Sequence, residues 1–338
     1  MTHPPRLPLL AGLLLAVGAG LAIPVQGRIN GALGARLDDG FAAALISFGT
    51  GLVLMILISL VLPKGRAGLV RIIPAVRNRA FPRLYVMAGG IGALFVIAQS
   101  STIGVLGVAL FTVAVVTGQT LSGLLVDRLG IGPAGKRPVT GIRVIGCVLT
   151  IAAVAWAVSP RFAGGGAASA AGGGVTGAAG VSGGPETLIL PLLLPVLAGF
   201  LMSFQQAMNG TATVTYGTPI AATLVNFVAG SLVLTIVWGL KVAWWGTGNP
   251  LPPDWWYYLG GPMGCVFIGL GALLVRSLGV LITGLGMIAG QLLGSLGLDL
   301  LFPAPGTVVA AATVLGTLLT LAAIVLATLP WPRGAFRR

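Results

Sequence analysis

Seven carboxamides and two carboxylates are the side chains best placed to do chemistry in this sequence: Gln26, Asn30, Gln119, Gln205, Asn209, Asn226 and Gln291, with Asp127 and Asp299. All lie within or at the ends of long apolar runs. A carboxamide carries a donor and an acceptor without a charge. The set therefore suits recognition of a neutral, weakly polar solute, and it equally suits interhelical bonds that hold a bundle together at ~0.6–2 kcal/mol each. Gln26 and Asn30 are four residues apart and share one helix face, and Gln205 and Asn209 repeat that spacing. Gln119 and Gln291 each follow a glycine, which admits a close approach by a neighbouring backbone or a ligand. Asp127 and Asp299 stand at the ends of apolar runs. There a carboxylate can act as a gate or carry protons if burial disfavours its charge, or it can pair with a base such as Arg128.

Catalysis is not expected. The one histidine, His3, precedes the first apolar run, and no helix carries a His/Asp/Glu cluster at metal-ligand spacing. Cys147 and Cys265 sit singly inside apolar runs, without disulfide or metal spacing. No enzyme, metal or cofactor is called for.

The elements that position these groups follow from composition. Of 338 residues, 56% are hydrophobic and 7% charged, against roughly 25% charged in a soluble domain. The apolar runs are continuous, so they read as membrane-spanning helices. Ten are expected: 8–34, 41–62, 84–103, 106–127, 139–158, 188–213, 219–242, 256–276, 279–300 and 307–330. The net charge of +13 sits in the short connections, as membrane topology requires, so nucleic acid is not a partner. Basic residues fill the connection at 64–83 and that at 128–143. Placing both in the cytoplasm puts the two termini there and leaves four of the 19 basic residues outside: Arg28, Arg36, Arg161 and Lys241. Residues 159–187, rich in Gly, Ala and Ser, read as a flexible exterior linker. Trp244, Trp245, Trp255, Trp256, Tyr257 and Tyr258 read as an aromatic belt at the exterior interface.

The chain repeats itself. Gln26, Asn30, Ala42, Ala43, Phe48 and Gly51 recur 179 positions later as Gln205, Asn209, Ala221, Ala222, Phe227 and Gly230. Gly92, Phe95, Gly107, Val108, Gly118, Gln119 and Asp127 recur 172 positions later as Gly264, Phe267, Gly279, Val280, Gly290, Gln291 and Asp299. Matched Leu or Ala would carry little weight between apolar helices; matched Gln, Asn and Asp in fixed register carry much. Five spans per copy is an odd number, so the second copy enters the membrane from the opposite side, which is the inverted-repeat architecture of many secondary transporters.

The run Gln26-Gly-Arg-Ile-Asn30-Gly, then Ala42-Ala43, then Ser47-Phe48-Gly49-Thr50-Gly51, then Gly118-Gln119 and Asp127 resembles the YdcZ family of the drug/metabolite transporter superfamily, in a fused two-unit form. The resemblance implies an all-α, EamA-like fold of ten transmembrane helices around a central cavity. It also implies small-molecule transport across the inner membrane, often export, and it implies no particular substrate. The second copy departs from the pattern: Asn226 replaces Ser47, and Asp-Arg-Leu-Gly at 127–130 becomes Asp-Leu-Leu-Phe at 299–302. The expectation is thus a repeat at 1–158, the linker, and an inverted repeat at 188–338. The two would work by alternating access around spans one, four, six and nine, with a small-molecule substrate and the bilayer as partners. The other reading open at this point is a structural or regulatory membrane protein that transports nothing. Oligomeric state is left open.

Overall fold

The computed structural model describes residues 9–136 except 134, scattered positions between 141 and 156, residues 189–302 except 279, and residues 311–328. Its elements, in chain order, are α1 (Leu9–Leu37), α2 (Gly40–Val61), α3 (Pro63–Arg77), α4 (Ala88–Leu106), α5 (Val108–Leu129), α6 (Ile189–Tyr216), α7 (Pro219–Trp245), α8 (Gly260–Leu278), α9 (Val280–Leu301) and α10 (Ala311–Thr328), with short 3-10 turns at Arg83–Met87 and Trp255–Leu259. No strand occurs among the described residues. Six helical stretches among them are long and apolar enough to cross a membrane: Leu10–Leu37, Gly40–Val61, Arg83–Leu106, Val108–Val126, Ile189–Tyr216 and Pro219–Trp245. Gly286–Leu301 and Ala311–Ala322 are shorter apolar helices. The fifth expected span falls largely outside the described residues, and the linker at 159–187 wholly outside them.

Helix α3 corrects the expectation of a basic loop. Pro63 starts it, where a missing N–H costs nothing. Gly65, Gly68 and Ala75 give it a flat face that packs on the ends of α2, α6 and α7. Helix α1 continues through Pro24 and α6 through Pro195.

Contacts fix the relative directions. Gly68 of α3, which follows the end of α2, rests on Thr218 and Ala221 at the start of α7. Lys241, near the end of α7, reaches Asp39 at the start of α2. Hence α2 and α7 lie side by side and antiparallel, and the α1–α2 and α6–α7 turns occupy opposite ends of the bundle. Both turns are capped: Asp39 Oδ1 accepts from the Phe41 and Ala42 amides at 3.0 Å, and Thr218 Oγ1 from that of Ile220 at 3.3 Å.

Glycine seams bring the two parts of the chain together. α1 packs on α8 and α9, and α6 on α4 and α5. A Cβ at Gly20 would strike the Met287 carbonyl, and one at Gly290 the Val17 carbonyl. In the same way Gly199 abuts the Val115 carbonyl, and Gly118 the Val196 carbonyl. Each contact in the second set is the first set shifted by 179 and 172 positions.

Asp299 is buried near the end of α9 and accepts from the amides of Val108 and Ala109, at 3.1 and 2.7 Å. It thereby serves the unpaired N–H groups at the start of α5 across 190 residues of sequence, where the helix dipole also favours a negative charge. Gly107, at φ +78, turns the chain into that start. Replacing Asp299 by alanine is expected to cost about 1–2 kcal/mol. Asp299→Asn, which keeps one acceptor for the two amides, should retain only part of that stability. Melting temperatures of the two variants in detergent would check this; equal melting would remove the capping role.

Candidate functional site

Two carboxamide clusters lie in the bundle interior, displaced from its middle toward opposite ends. In the first, Asn30 of α1 donates through Nδ2 to Gln99 Oε1 of α4 at 3.0 Å, and both residues are fully buried. Gln26, one turn earlier on the same face of α1, is buried beside Gly264 of α8, where a Cβ would lie 3.0 Å from its Nε2. Ser47 of α2 completes this group; its Oγ and Asn30 Oδ1 both converge on Gly260. In the second cluster, Asn226 Oδ1 of α7 accepts from Gln205 Nε2 at 2.9 Å and from Asn209 Nδ2 at 3.0 Å, both on α6. Gln205 lies against Gly92 of α4, as Gln26 lies against Gly264.

Several of these buried groups have no hydrogen-bond partner among the described residues: Asn30 Oδ1, Ser47 Oγ, Gln99 Nε2 and Asn226 Nδ2. A buried donor or acceptor left unmatched costs about 1–3 kcal/mol. Both clusters thus hold buried acceptors and donors that no described residue matches.

Between the clusters stand Phe48 of α2 and Phe227 of α7, with ring centroids 5.1 Å apart and planes tilted by 47°. Phe48 packs on Gly230 and Gly92, Phe227 on Gly51 and Gly264. Each ring is the ninth residue of its helix, ~12 Å from the start at 1.5 Å per residue, so the antiparallel helices bring the pair together in the middle of the bundle. An apolar plug therefore separates the two polar groups.

The end that holds the α1–α2 turn is latched. Lys241 Nζ donates to Asp39 Oδ2 at 2.8 Å and to the Gly246 carbonyl at 2.9 Å. The Asn249 amide donates to the Leu37 carbonyl at 2.7 Å, and its side chain to the Arg36 carbonyl at 3.2 Å. A cleft of about 510 Å³, lined by Asp39, Trp238 and Asn249 among others, opens beside the latch. Trp244, Trp245 and Trp255 at this end are exposed, in keeping with an aromatic belt. The other end closes on α3 and on an aromatic group in which Phe81 stacks with Tyr85 and meets Tyr216 edge-on.

A family model described as "Putative inner membrane exporter, YdcZ" matches two segments of the chain, residues 11–156 and 190–326. The chain belongs to the YdcZ family. No curated protein sequence matches it. The two YdcZ segments flank the Gly/Ala-rich linker, and both amide clusters fall inside them, with α1 to α5 in the first and α6 to α10 in the second apart from one or two residues at the outer ends of α1, α6 and α10. The family and the apolar helices together support a membrane transporter.

Of the amides singled out by sequence, the structure joins Gln26 and Asn30 in one cluster and Gln205, Asn209 and Asn226 in the other. Gln119 stands apart, at the seam of α5 and α6, where its Nε2 lies 3.8 Å from Met202 Sδ and its carbonyl accepts from Ser203 Oγ at 3.0 Å. Gln291 is buried on α9, next to the glycine that meets α1. Asp299 is the cap of α5, and the side chain of Asp127 lies outside the described residues. Cys265 is buried on α8 and donates weakly to the Gly51 carbonyl at 3.5 Å. Three residues of consequence were missed by the sequence reading: Gln99, Asp39 and Lys241. Gln99 carried the same signal as the others, an amide inside an apolar run.

Proposed function

We propose that the chain is a secondary transporter that exports a small, uncharged, hydrogen-bonding solute across the cytoplasmic membrane by alternating access of two inverted five-span units. The observation that carries this reading is the placement of two amide clusters toward opposite ends of the interior, each with buried groups that no described residue matches, and with the Phe48–Phe227 pair between them. Each cluster forms the inner wall of one gate. Parting the helices at one end would admit solute to the amides there while the other end stays sealed. The contacts repeated at offsets of 179 and 172 support two related units, at 1–158 and 188–338, joined by an exterior linker. An odd number of spans in each unit makes them inverted, so either end can open at similar energy. In this scheme ten spans cross the bilayer, both termini and α3 are cytoplasmic, and the Asp39–Lys241 latch faces outward. Gln119 and Gln291 line the path deeper along α5 and α9, Asp127 is the gate or proton-linked carboxylate, and Asp299, committed to the α5 amides, is a gate carboxylate and not a proton carrier.

Accessibility to a membrane-impermeant maleimide tests the scheme. In a chain with Cys147→Ser and Cys265→Ser, Gln26→Cys is expected to label from the exterior only, and Gln205→Cys from the cytoplasmic side only. Crosslinking Asp39→Cys to Lys241→Cys should abolish labelling at position 26 and spare position 205. Labelling of both positions from one side would reject alternating access.

A further inference from the structure

Helix α3 holds a patterned face that the bundle leaves uncovered. Arg66, Val70, Ile73 and Arg77 follow one another at steps of four, three and four residues, which sets them in a single stripe along the helix. All four are exposed, the two aliphatic side chains at 77% and 76%. The opposite face is committed to protein: Gly65 to Ser59, Gly68 to Thr218 and Ala221, and Ala75 to the cluster that includes Ala212, Tyr216 and Ala222. A branched aliphatic pair bracketed by arginines is a poor surface for water and a good one for a boundary that is apolar on one side and anionic on the other.

The position of α3 supplies that boundary. Its Gly68 lies against Thr218 and Ala221, at and two residues inside the start of a helix that begins at Pro219, so within roughly 3 Å of that end, and α3 follows α2 with only Leu62 between them. A helix seated at the ends of two helices long and apolar enough to cross a membrane lies where the apolar spans stop. Its outward face is then at the level of the lipid headgroups, a zone ~5–8 Å deep. The charge is one-signed as well: Lys64, Arg66, Arg71, Arg77, Arg79 and Arg83 fall in this segment, and no acidic residue occurs between Asp39 and Asp127.

We propose that α3 is an interfacial helix that docks anionic phospholipid, with Val70 and Ile73 among the upper acyl carbons and Arg66 and Arg77 on the headgroup phosphates. The same helix seats Gly68 on the α6–α7 turn and lays Arg71 against Gly217. Lipid held there therefore bears on the end of the bundle that encloses Gln205, Asn209 and Asn226. The proposal needs the chain to lie in a bilayer; it does not need the solute-transport reading.

The test is lipid binding to the purified full-length protein in an uncharged detergent, counted by native mass spectrometry with phosphatidylglycerol and phosphatidylcholine as probes. The parent is expected to bind phosphatidylglycerol more tightly. Arg66→Gln with Arg77→Gln should weaken it about fivefold per arginine, the equivalent of roughly 1 kcal/mol each, and leave phosphatidylcholine unchanged. Val70→Ser with Ile73→Ser should weaken both lipids. Because all four side chains are exposed, elution profile and melting should match the parent, and transport activity is not read at all. Equal binding of the two lipids by the parent would overturn the proposal, as would undiminished phosphatidylglycerol binding by the arginine double variant. Tighter binding of polyglutamate than of phosphatidylglycerol would also overturn it and give the face to an acidic protein segment.

Discussion

Valine at position 118 is expected to prevent the accumulation of folded protein, whereas valine at position 123, five residues along the same helix, should be nearly silent. A Cβ at Gly118 would run into the carbonyl oxygen of Val196 and the amide of Phe200, both backbone atoms of α6. Backbone has no rotamer to give, so α5 and α6 must separate, and they share one of the most extensive helix pairings in the molecule. Overpacking in a dense core costs typically 1–3 kcal/mol; a clash against main chain sits at the upper end of that range. Gly123 has nothing within 4 Å of its would-be Cβ, so Gly123→Val carries only the small helix-propensity change. Gly290→Val should behave like Gly118→Val, because its Cβ would meet the Val17 carbonyl in the matching seam of α9 and α1. Yield of monodisperse protein on size exclusion, followed by melting in detergent, measures this. If Gly118→Val elutes and melts like Gly123→Val, the seams are not what sets the helix spacing.

These seams also show what a sequence can and cannot reveal about such a fold. Gly118 and Gly290 were legible as sites of close approach because each stands beside a repeated glutamine, and polar markers make a register visible in otherwise interchangeable apolar helices. The partners were not legible: nothing in the order of residues says that α1 lies along α9 and not along α5. Gln99 escaped because recurrence was the filter. Position 271, its counterpart at an offset of 172, is a glycine, so an amide that matters to one cluster had no echo. Lys241 reads only as one of the exterior basic residues and Asp39 is not singled out, since their meeting depends on the antiparallel placement of helices 202 residues apart. For α3 the missing signal was present. Leu69, Ile72 and Val76 are spaced at three and four residues on the same side as Gly65, Gly68 and Ala75, but the density of arginine drew attention to topology and away from period. Phe48 and Phe227 were recognised as repeat markers alone, because ring contact at the centre of a bundle is a property of the assembled helices.

Removal of Asn30 and Asn209 together is expected to lower transport per folded molecule by about thirtyfold while membrane insertion stays intact. The argument turns on what each amide does in the closed state. Among the described residues Asn30 bonds to Gln99 and Asn209 to Asn226. Such interhelical bonds in bilayers average only about 0.6 kcal/mol. Losing both should therefore leave a bundle held by glycine seams largely standing. If the same amides turn to the solute when an end opens, each contributes a hydrogen bond of roughly 1 kcal/mol at the translocation barrier. Two of them amount to about 2 kcal/mol, or some thirtyfold in rate. Packing and path thus separate by magnitude: a purely structural role lowers melting slightly and leaves the rate per molecule alone. Counterflow in proteoliposomes, using the neutral metabolite that most stabilises the parent in a thermal-shift screen, decides between them. Asn226→Ala supplies the contrast. It strips a buried donor, Gln205 Nε2, and a partly buried one, Asn209 Nδ2, of their shared acceptor, so it should depress melting more than the double variant does. Unchanged counterflow in a correctly inserted Asn30→Ala, Asn209→Ala protein would take both residues out of the path and leave the clusters as scaffolding.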